Sequence, residues 1–153
     1  MRRPKQALAE TECHDILLRG KTAVVSLMGD DGYPYGVPVN YLYRDGKLYF
    51  HCATAGHKMD ALKSNPKVSV CVIDADEVDV PRLATSYKSV IMFGKARLLE
   101  TDEEKLDAIR AFAHKFSDNT EQIEEEIVRE WNGLAVVEIS IEHMTGKRGI
   151  YVQ

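Results

Sequence analysis

Apolar residues along this chain recur with two periods, about two and about 3.6, and the changes of period divide it into elements. KTAVVSLMG (21–29) is rich in β-branched residues and reads as a strand. DDGYPYG (30–36) follows as a turn centred on Asp31-Gly32. VPVNYLY (37–43) is the next strand, weakened at its start by Pro38, which cannot donate a ladder bond. Asp45-Gly46 then leads into KLYFHC (47–52), the signature of a tight hairpin. Linkers this short exclude parallel crossovers, so an antiparallel three-strand meander is expected. KVSVCVI (67–73) sets Val68, Val70 and Val72 on one face and Ser69, Cys71 and Ile73 on the other. YKSVIMFGKARLLE (87–100) is a long strand in which Gly94 marks a bulge or a barrel corner. LAVVEISIEHM (134–144) is the last strand.

Four segments carry the helical period. AETECHDILLRG (9–20) places Ile16 and Leu17 after a polar opening, with Gly20 as a C-cap. A helix from Gly56 to Ser64 puts Met59 and Leu62 on one face and stops at Asn65-Pro66. TDEEKLDAIRAFAHKF (101–116) opens on a Thr101–Glu104 capping box and carries an apolar stripe of Leu106, Ile109, Ala113 and Phe116. NTEQIEEEIVREW (119–131) has Asn119 and Gln122 as a second box, with Ile123, Ile127 and Trp131 sharing its buried side. DADEVDVPRLATS (74–86) exceeds the usual loop length and reads either as a functional, partner-covering loop or as a plain excursion. The order predicts a mainly β fold with flanking helices: a six-stranded antiparallel barrel, with residues 1–153 as a single domain carrying a short N-terminal helical arm and a C-terminal tail.

Composition narrows the function classes. With 44% hydrophobic and 29% charged residues and a formal net charge of −4, the chain has no basic excess for neutralising phosphates, so a nucleic-acid partner is not expected. No apolar run approaches the roughly 20 residues that cross a bilayer, so no membrane partner is expected, and the N-terminus lacks the apolar core of a secretory signal. Cys13, Cys52 and Cys71 form neither a disulfide framework nor a CxxC site, so a reducing, cytoplasmic location is expected.

Candidate chemistry concentrates in FHCATAGHKMD (50–60). A helix mouth offers free N–H groups and partial positive charge, Gly56 lets the chain approach a ligand closely, and Lys58 and His57 add cationic or proton-donating side chains. Backbone donors from Thr54 to Lys58 suit a phosphate there; a strand-to-helix connection with a solvated lysine accounts for the same residues. Metal binding is disfavoured: His51 and Cys52 alternate on their strand, and His14, His114 and His143 lie on other elements. There is no G-x-S-x-G elbow, Cys52 and Cys71 read as buried small hydrophobes, and Glu124 to Glu126 read as a solvated face.

The stretches GYPYGVPVNYLYRDGKLYFHCATAGHKMDALKSNPKVSV, YKSVIMFGKARLL and WNGLAVVEISIEHMTGK, with the helix pair between the last two, resemble the pyridoxamine 5'-phosphate oxidase-like FMN-binding split-barrel superfamily, and within it the 5-nitroimidazole resistance (Nim-type) proteins. The likeness covers about Lys21 to Lys147 and rests on the order and spacing of PVNY, DGKLYFH, GHK and NP. It implies an FMN-binding homodimer with the flavin at the subunit interface. Val39 and Asn40 would touch the isoalloxazine ring, His51 would stand near the ring or the substrate side as the catalytic candidate, and Gly56, His57 and Lys58 would hold the phosphate beside Thr54. Ser89 and Val90 would complete the site, with Trp131 and the Thr145–Lys147 segment reaching it from the neighbouring subunit. The arginine-rich C-terminal ending of pyridoxamine-phosphate oxidases is absent from GKRGIYVQ, which argues against vitamin B6 oxidation.

The expected activity is flavin-dependent reduction of a small-molecule oxidised substrate, a nitroaromatic such as a 5-nitroimidazole being the type the likeness implies. The electron donor would be transient NAD(P)H or another reductant, with no dinucleotide fingerprint in the chain. Tyr33, Tyr35, Tyr41 and Phe50 are candidates for apolar walls or for core and interface positions. A flavin- or haem-related binding, storage or sensing protein is the non-catalytic alternative, and an empty structural dimer the third.

Overall fold

Twelve residues that read as one strand and a hairpin, 37–48, decide the architecture. In the computed structural model, which describes residues 3–149, the chain runs α1 (Glu10–Arg19), β1 (Thr22–Met28), β2 (Pro34–Asn40), β3 (Leu42–Arg44), β4 (Lys47–Ala53), α2 (His57–Ser64), β5 (Lys67–Asp79), β6 (Ala84–Leu98), α3 (Asp102–His114), α4 (Thr120–Glu130) and β7 (Leu134–Arg148). All strands join one antiparallel sheet in the order β2-β1-β5-β6-β7-β4-β3. β2 and β3 are neighbours in the chain, separated only by Tyr41, yet they form the two opposite edges of the sheet. A sheet whose edges are joined by one residue must curl on itself without pairing along that seam, which is the split-barrel form.

Seven strands therefore replace the six expected, because VPVNYLY breaks at Tyr41. Tyr41 is wholly buried, its hydroxyl donates to the Leu17 carbonyl at 2.9 Å, and its N–H donates to Lys21 O at 3.2 Å. These bonds to α1 and its exit draw Tyr41 out of the ladder. The expected meander is split accordingly: β2 pairs with β1, and β3 pairs with β4 on the far edge. Pro34 and Pro38 are tolerated because β2 is an edge strand. Both Asp-Gly turns have left-handed backbones, Asp31 and Gly32 at φ 56° and 77° and Asp45 and Gly46 at φ 53° and 74°.

The acidic segment 74–86 is not a loop. β5 and β6 continue through it to an Asp79–Ala84 pair, leaving four residues, 80–83, as the turn. Its outer residues face water on both sides, so no apolar alternation betrays the strands. β7 also runs on past Met144 to Arg148, where the N-terminal arm covers it through the Leu8 N–H to Gly146 O bond at 3.1 Å. The end of the expected C-terminal tail, 150–153, lies outside the described residues.

Two packed layers result. Val68, Val70 and Val72 point into the barrel beside Tyr41, Leu48 and Phe50, which are buried core residues and not walls of a site. α3 and α4 pack Ile109, Phe112, Ile123 and Ile127 against Tyr49, Leu134 and Val136 outside the barrel. The buried stripe of α3 is Ala108, Ile109 and Phe112, rotated from the expected one, and Phe116 is 42% exposed. Thr101 and Asn119 cap their helices as expected, accepting the Glu104 and Gln122 N–H groups at 3.2 Å each. Gly20 ends α1 with φ −65°, not left-handed; it is needed because a Cβ there would lie 2.3 Å from the Tyr41 hydroxyl. Gly94 sits at a register shift between β6 and β7, as the sequence suggests.

Candidate functional site

β4 ends at Ala53 and α2 begins four residues later. Gly56 makes the connection with φ 118° and ψ 173°, a backbone state that side chains with a Cβ rarely adopt. Nothing lies within 4 Å of where its Cβ would be, so the space before the helix is open. The first bond of the helix runs from Asp60 N–H to Gly56 O at 3.1 Å, which leaves the His57, Lys58 and Met59 N–H groups at the positive end of the dipole. Met59, Ala61 and Leu62 hold the opposite face of α2 in the interior, and Cys52 Sγ lies 3.7 Å from Met59 Sδ.

The two cationic candidates at this mouth have different surroundings. His57 Nδ1 lies 3.3 Å from Asp30 Oδ2, and its ring meets Tyr35 edge-on at 4.6 Å, so it is engaged by the β1–β2 turn. The Lys58 ammonium lies 5.8 Å from the Phe50 ring and takes part in no ion pair among the described residues. Thr54 is exposed beside them, its N–H donating to Gly133 O at 3.1 Å.

A groove of about 820 Å³ opens between the helix pair and the ends of β4 and β7. Phe112 of α3, Phe116 just past its end, Ile123 and Ile127 of α4, and Leu134 supply its apolar walls, and Asn40, His51 and Cys52 close the strand side. The His51 ring meets Phe112 edge-on at 4.8 Å. His51 keeps an exposed edge, yet partial desolvation against Phe112 first, and the Lys58 ammonium second, push it below its ordinary 6.5, so at pH 7 the neutral imidazole predominates, with one donor and one acceptor. Burial pushes the Cys52 thiol up, against the pull of Lys58, which keeps it protonated. Asn40 Nδ2 donates to Lys21 O at 3.2 Å and to Thr22 Oγ1 at 3.3 Å, which fixes its amide at the groove edge.

The remaining candidates lie elsewhere in the chain. The Val39 and Val90 side chains point into the core, so only their backbones can face a ligand. Ser89 pairs with Lys147, whereas Leu134 pairs with Ala53; thirteen residues of β7, roughly 40 Å of extended strand, separate these positions. The Lys147 ammonium lies 5.5 Å from the Tyr87 ring. Trp131 stacks on Lys105, whose Nζ lies 4.0 Å from the ring and donates to Trp131 O at 2.9 Å. Among the described residues no three His, Cys, Asp or Glu side chains converge in a manner that could hold a metal ion.

The sequence singled out His51 and the α2 mouth but not the groove. Its walls come from two helices whose apolar stripes were legible; that the stripes part at one end to leave a cavity depends on their packing. The outer face of the sheet is a further feature. Val24 stands opposite both Pro38 and Cys71, Cys71 opposite Ile91, and Ile91 opposite Thr145. Ile91, Phe93 and Ile73 on this face are 41%, 53% and 60% exposed, which makes an apolar band across several strands.

The sequence matches the pyridoxamine 5'-phosphate oxidase family over residues 9–148. A protein of Rhizobium meliloti of uncharacterized function is 29% identical over 90 residues, 59% of this chain and 54% of that one, so the match spans about half the length of that relative. Among solved structures, a candidate 5-nitroimidazole antibiotic resistance protein of Bacteroides thetaiotaomicron superposes with a TM-score of 0.78 at 21% identity, covering 94% of this chain and 86% of that one. A FAD-binding protein of Mesorhizobium loti gives 0.69 at 26% identity over 94% and 96% of the two chains. A FAD- and haem-binding protein of Mycobacterium smegmatis gives 0.78 at 20% identity over 95% and 74%. At such identities the first and third establish the split-barrel fold alone.

Proposed function

Because the chain belongs to the pyridoxamine 5'-phosphate oxidase family, we propose that it is an FMN-dependent oxidoreductase that reduces a small oxidised organic substrate, with nitroaromatics as the class to test first. The observation that carries this reading is the α2 mouth: an open left-handed glycine, three N–H groups outside the helix ladder and a Lys58 ammonium with no ion-pair partner among the described residues, one β-strand end away from a groove bordered by a histidine. That donor set fits a terminal phosphate monoester. His57 would act through its backbone N–H, since Asp30 holds its ring. When bound, the flavin supplies the two-electron chemistry.

The chain's own residues bind, orient and shield. Lys58 and the α2 N–H groups fix the phosphate end. Asn40 and His51 border the position where a ring would meet the groove, and the neutral His51 can donate a hydrogen bond to a substrate oxygen as it is reduced, the proton itself coming from solvent. The walls from α3 and α4 exclude water. Electrons come from an external donor of the NAD(P)H type.

The reading includes a homodimer. The apolar band around Ile91 and Phe93 is the surface a second copy would cover, and a shared site would let Ser89, Val90 and Lys147 of one protomer approach the α2 mouth of the other, which they cannot do within one chain.

Titration of the purified protein with FMN and FAD, followed by single-turnover reoxidation of the reduced holoprotein by a nitroaromatic, tests the proposal. Tighter binding of FMN than FAD and reoxidation faster than that of free flavin are expected. Absence of FMN binding refutes the cofactor; FMN binding without accelerated reoxidation refutes the enzyme and leaves a storage or sensing role.

A further inference from the structure

The groove walls contain no lysine or arginine; the helices that build them carry few, Lys105 and Arg110 on α3 and Arg129 on α4. Lys105 and Lys115 stand on α3 or just beyond it, beside the wall residues, and both ammonium groups are engaged by backbone carbonyls, Lys115 also lying 5.6 Å from the Phe116 ring. Lys105 donates to Trp131 O at 2.9 Å. Lys115, which adjoins Phe116 in sequence, donates to Gly20 O at 2.5 Å and Tyr41 O at 2.8 Å and lies 4.2 Å from the Tyr41 ring. The charges that do reach the groove are carboxylates, Glu126 and Glu130 of α4. Arg129 bonds to both, to Glu130 at 3.2 Å, so one guanidinium faces two carboxylates and the rim keeps a surplus negative charge. The one titratable base on the strand side, His51, faces Phe112, keeps an exposed edge, and is shifted toward its neutral form by partial desolvation and by the Lys58 charge.

We infer that the groove between α3, α4 and the end of β4 is a substrate site selective for uncharged or cationic flat aromatic molecules, and that it rejects carboxylates and phosphate esters. Phe112 and Phe116 offer ring faces and edges, Ile123, Ile127 and Leu134 offer apolar contact, and Gln122 offers amide hydrogen bonds at the rim. An anion entering here would lose its hydration, find no cationic side chain in the walls, since the Lys58 charge is felt only at the strand side and Lys115 is held by two carbonyls, and approach the surplus carboxylate. A cation would meet Glu126 and Glu130. The cationic end of the site is the α2 mouth, which is separate from these walls, so the two places sort ligands by charge: phosphate at the helix mouth, neutral ring in the groove. The inference rests on the proposed oxidoreductase only in calling the groove's occupant a substrate.

The test uses the full chain in phosphate buffer, which supplies the α2 mouth with its own anion, both without and with saturating FMN. Isothermal titration compares three probes of nearly one shape: 4-nitrobenzyl alcohol, 4-nitrobenzylamine and 4-nitrobenzoate, with pyridoxine 5'-phosphate as a phosphate ester. The alcohol and the amine are expected to bind, and the two anions to bind at least about tenfold more weakly, the loss that corresponds to roughly 1.4 kcal/mol. Phe116→Ala should weaken the alcohol and the amine alike. Glu126→Lys should raise the affinity for 4-nitrobenzoate and lower it for the amine. Both residues are exposed at the surface, so both variants are expected to fold. Equal affinity for alcohol and benzoate overturns the inference, as does indifference of all four probes to Phe116→Ala and Glu126→Lys. If the chain fails to bind FMN yet discriminates among the probes, the selective groove stands and the flavin reading falls; if FMN binds and the discrimination is absent, the reverse holds.

Discussion

Lys115 Nζ donates to the Tyr41 carbonyl at 2.8 Å while its charge rests 4.2 Å from the centre of the same residue's ring. The bond joins the end of α3 to the one residue that separates the two edge strands of the sheet. Burial pushes Lys115 down from its ordinary 10.5 to about 8. The folded chain therefore releases this proton near pH 8, while the unfolded chain holds it to above pH 10. Between those values the unfolded state binds more protons, and stability attributable to this group rises with pH. Urea midpoints measured from pH 7.5 to 9.5 should climb in the wild type relative to Lys115→Met. Parallel curves would mean that the two carbonyl bonds offset the cost of burying the charge.

Lys58→Ala should weaken FMN binding by about 1.5–3 kcal/mol, roughly tenfold or more in dissociation constant, because it removes a charge-assisted bond and leaves the backbone donors in place. The rate at saturating FMN should largely recover when measured at pH 8, where loss of the Lys58 charge leaves His51 neutral as in the wild type. Fluorescence titration of the variant supplies the first number and stopped-flow reoxidation the second.

His51 should behave in the opposite way. His51→Ala is expected to leave FMN affinity nearly unchanged and to alter turnover at saturating FMN. The imidazole itself should titrate below 6.5 by NMR in the wild type and move upward in Lys58→Ala, because the neighbouring ammonium is one of the two causes of its depression. Burial is the larger cause, so the value should remain below 6.5 in the variant. A His51 resonance that ignores Lys58→Ala would separate the two residues electrostatically.

Much of the fold was open to reading from the sequence because its signals are local. Asp31-Gly32 and Asp45-Gly46 announce their turns, Val68, Val70 and Val72 announce a half-buried strand, and Thr101 and Asn119 announce helix starts. The break at Tyr41 is invisible in VPVNYLY, since what pulls Tyr41 from the ladder is the Leu17 carbonyl on another element. The hairpin at 74–86 escaped for a different reason: solvated on both faces, it has no need of alternation. At the site, Gly56 and Lys58 were legible as a helix mouth, whereas the capture of His57 by Asp30 depends on a turn packed from elsewhere.

Phe93→Glu should abolish the proposed dimer. Phe93 is 53% exposed and lies beside Ile91 on the apolar band, so a carboxylate there costs little in one protomer and is expensive when buried between two. Sedimentation equilibrium at micromolar concentration should give the mass of one chain, with an unchanged circular-dichroism spectrum and weakened FMN binding. A dimeric variant, or a monomer with full flavin affinity, would refute the shared site.

Gly94→Ala and Gly56→Ala should both destabilise, through different physics. A Cβ on Gly94 would lie 2.3 Å from the Ser140 carbonyl oxygen, a backbone clash that β6 and β7 must part to relieve, at about 1–3 kcal/mol. A Cβ on Gly56 meets nothing, but its φ of 118° is unfavourable for alanine, and the local shift should disturb the α2 mouth. Only Gly56→Ala should lower FMN affinity in the range where both proteins remain folded; thermal melts with and without FMN distinguish them.

The seam at Tyr41 also bears on the order of assembly. β2 needs β1 in place, and β3 needs β4, but bringing both pairs to their final positions requires β5, β6 and β7 between them. β7 is the last strand among the described residues, so the barrel cannot close until residues 134–148 are present. Closure entropy of this kind slows folding. It makes the Tyr41 junction a late event: substitutions there should hasten unfolding more than they retard folding, and a nascent chain short of Leu134 would carry its β4 edge unpaired.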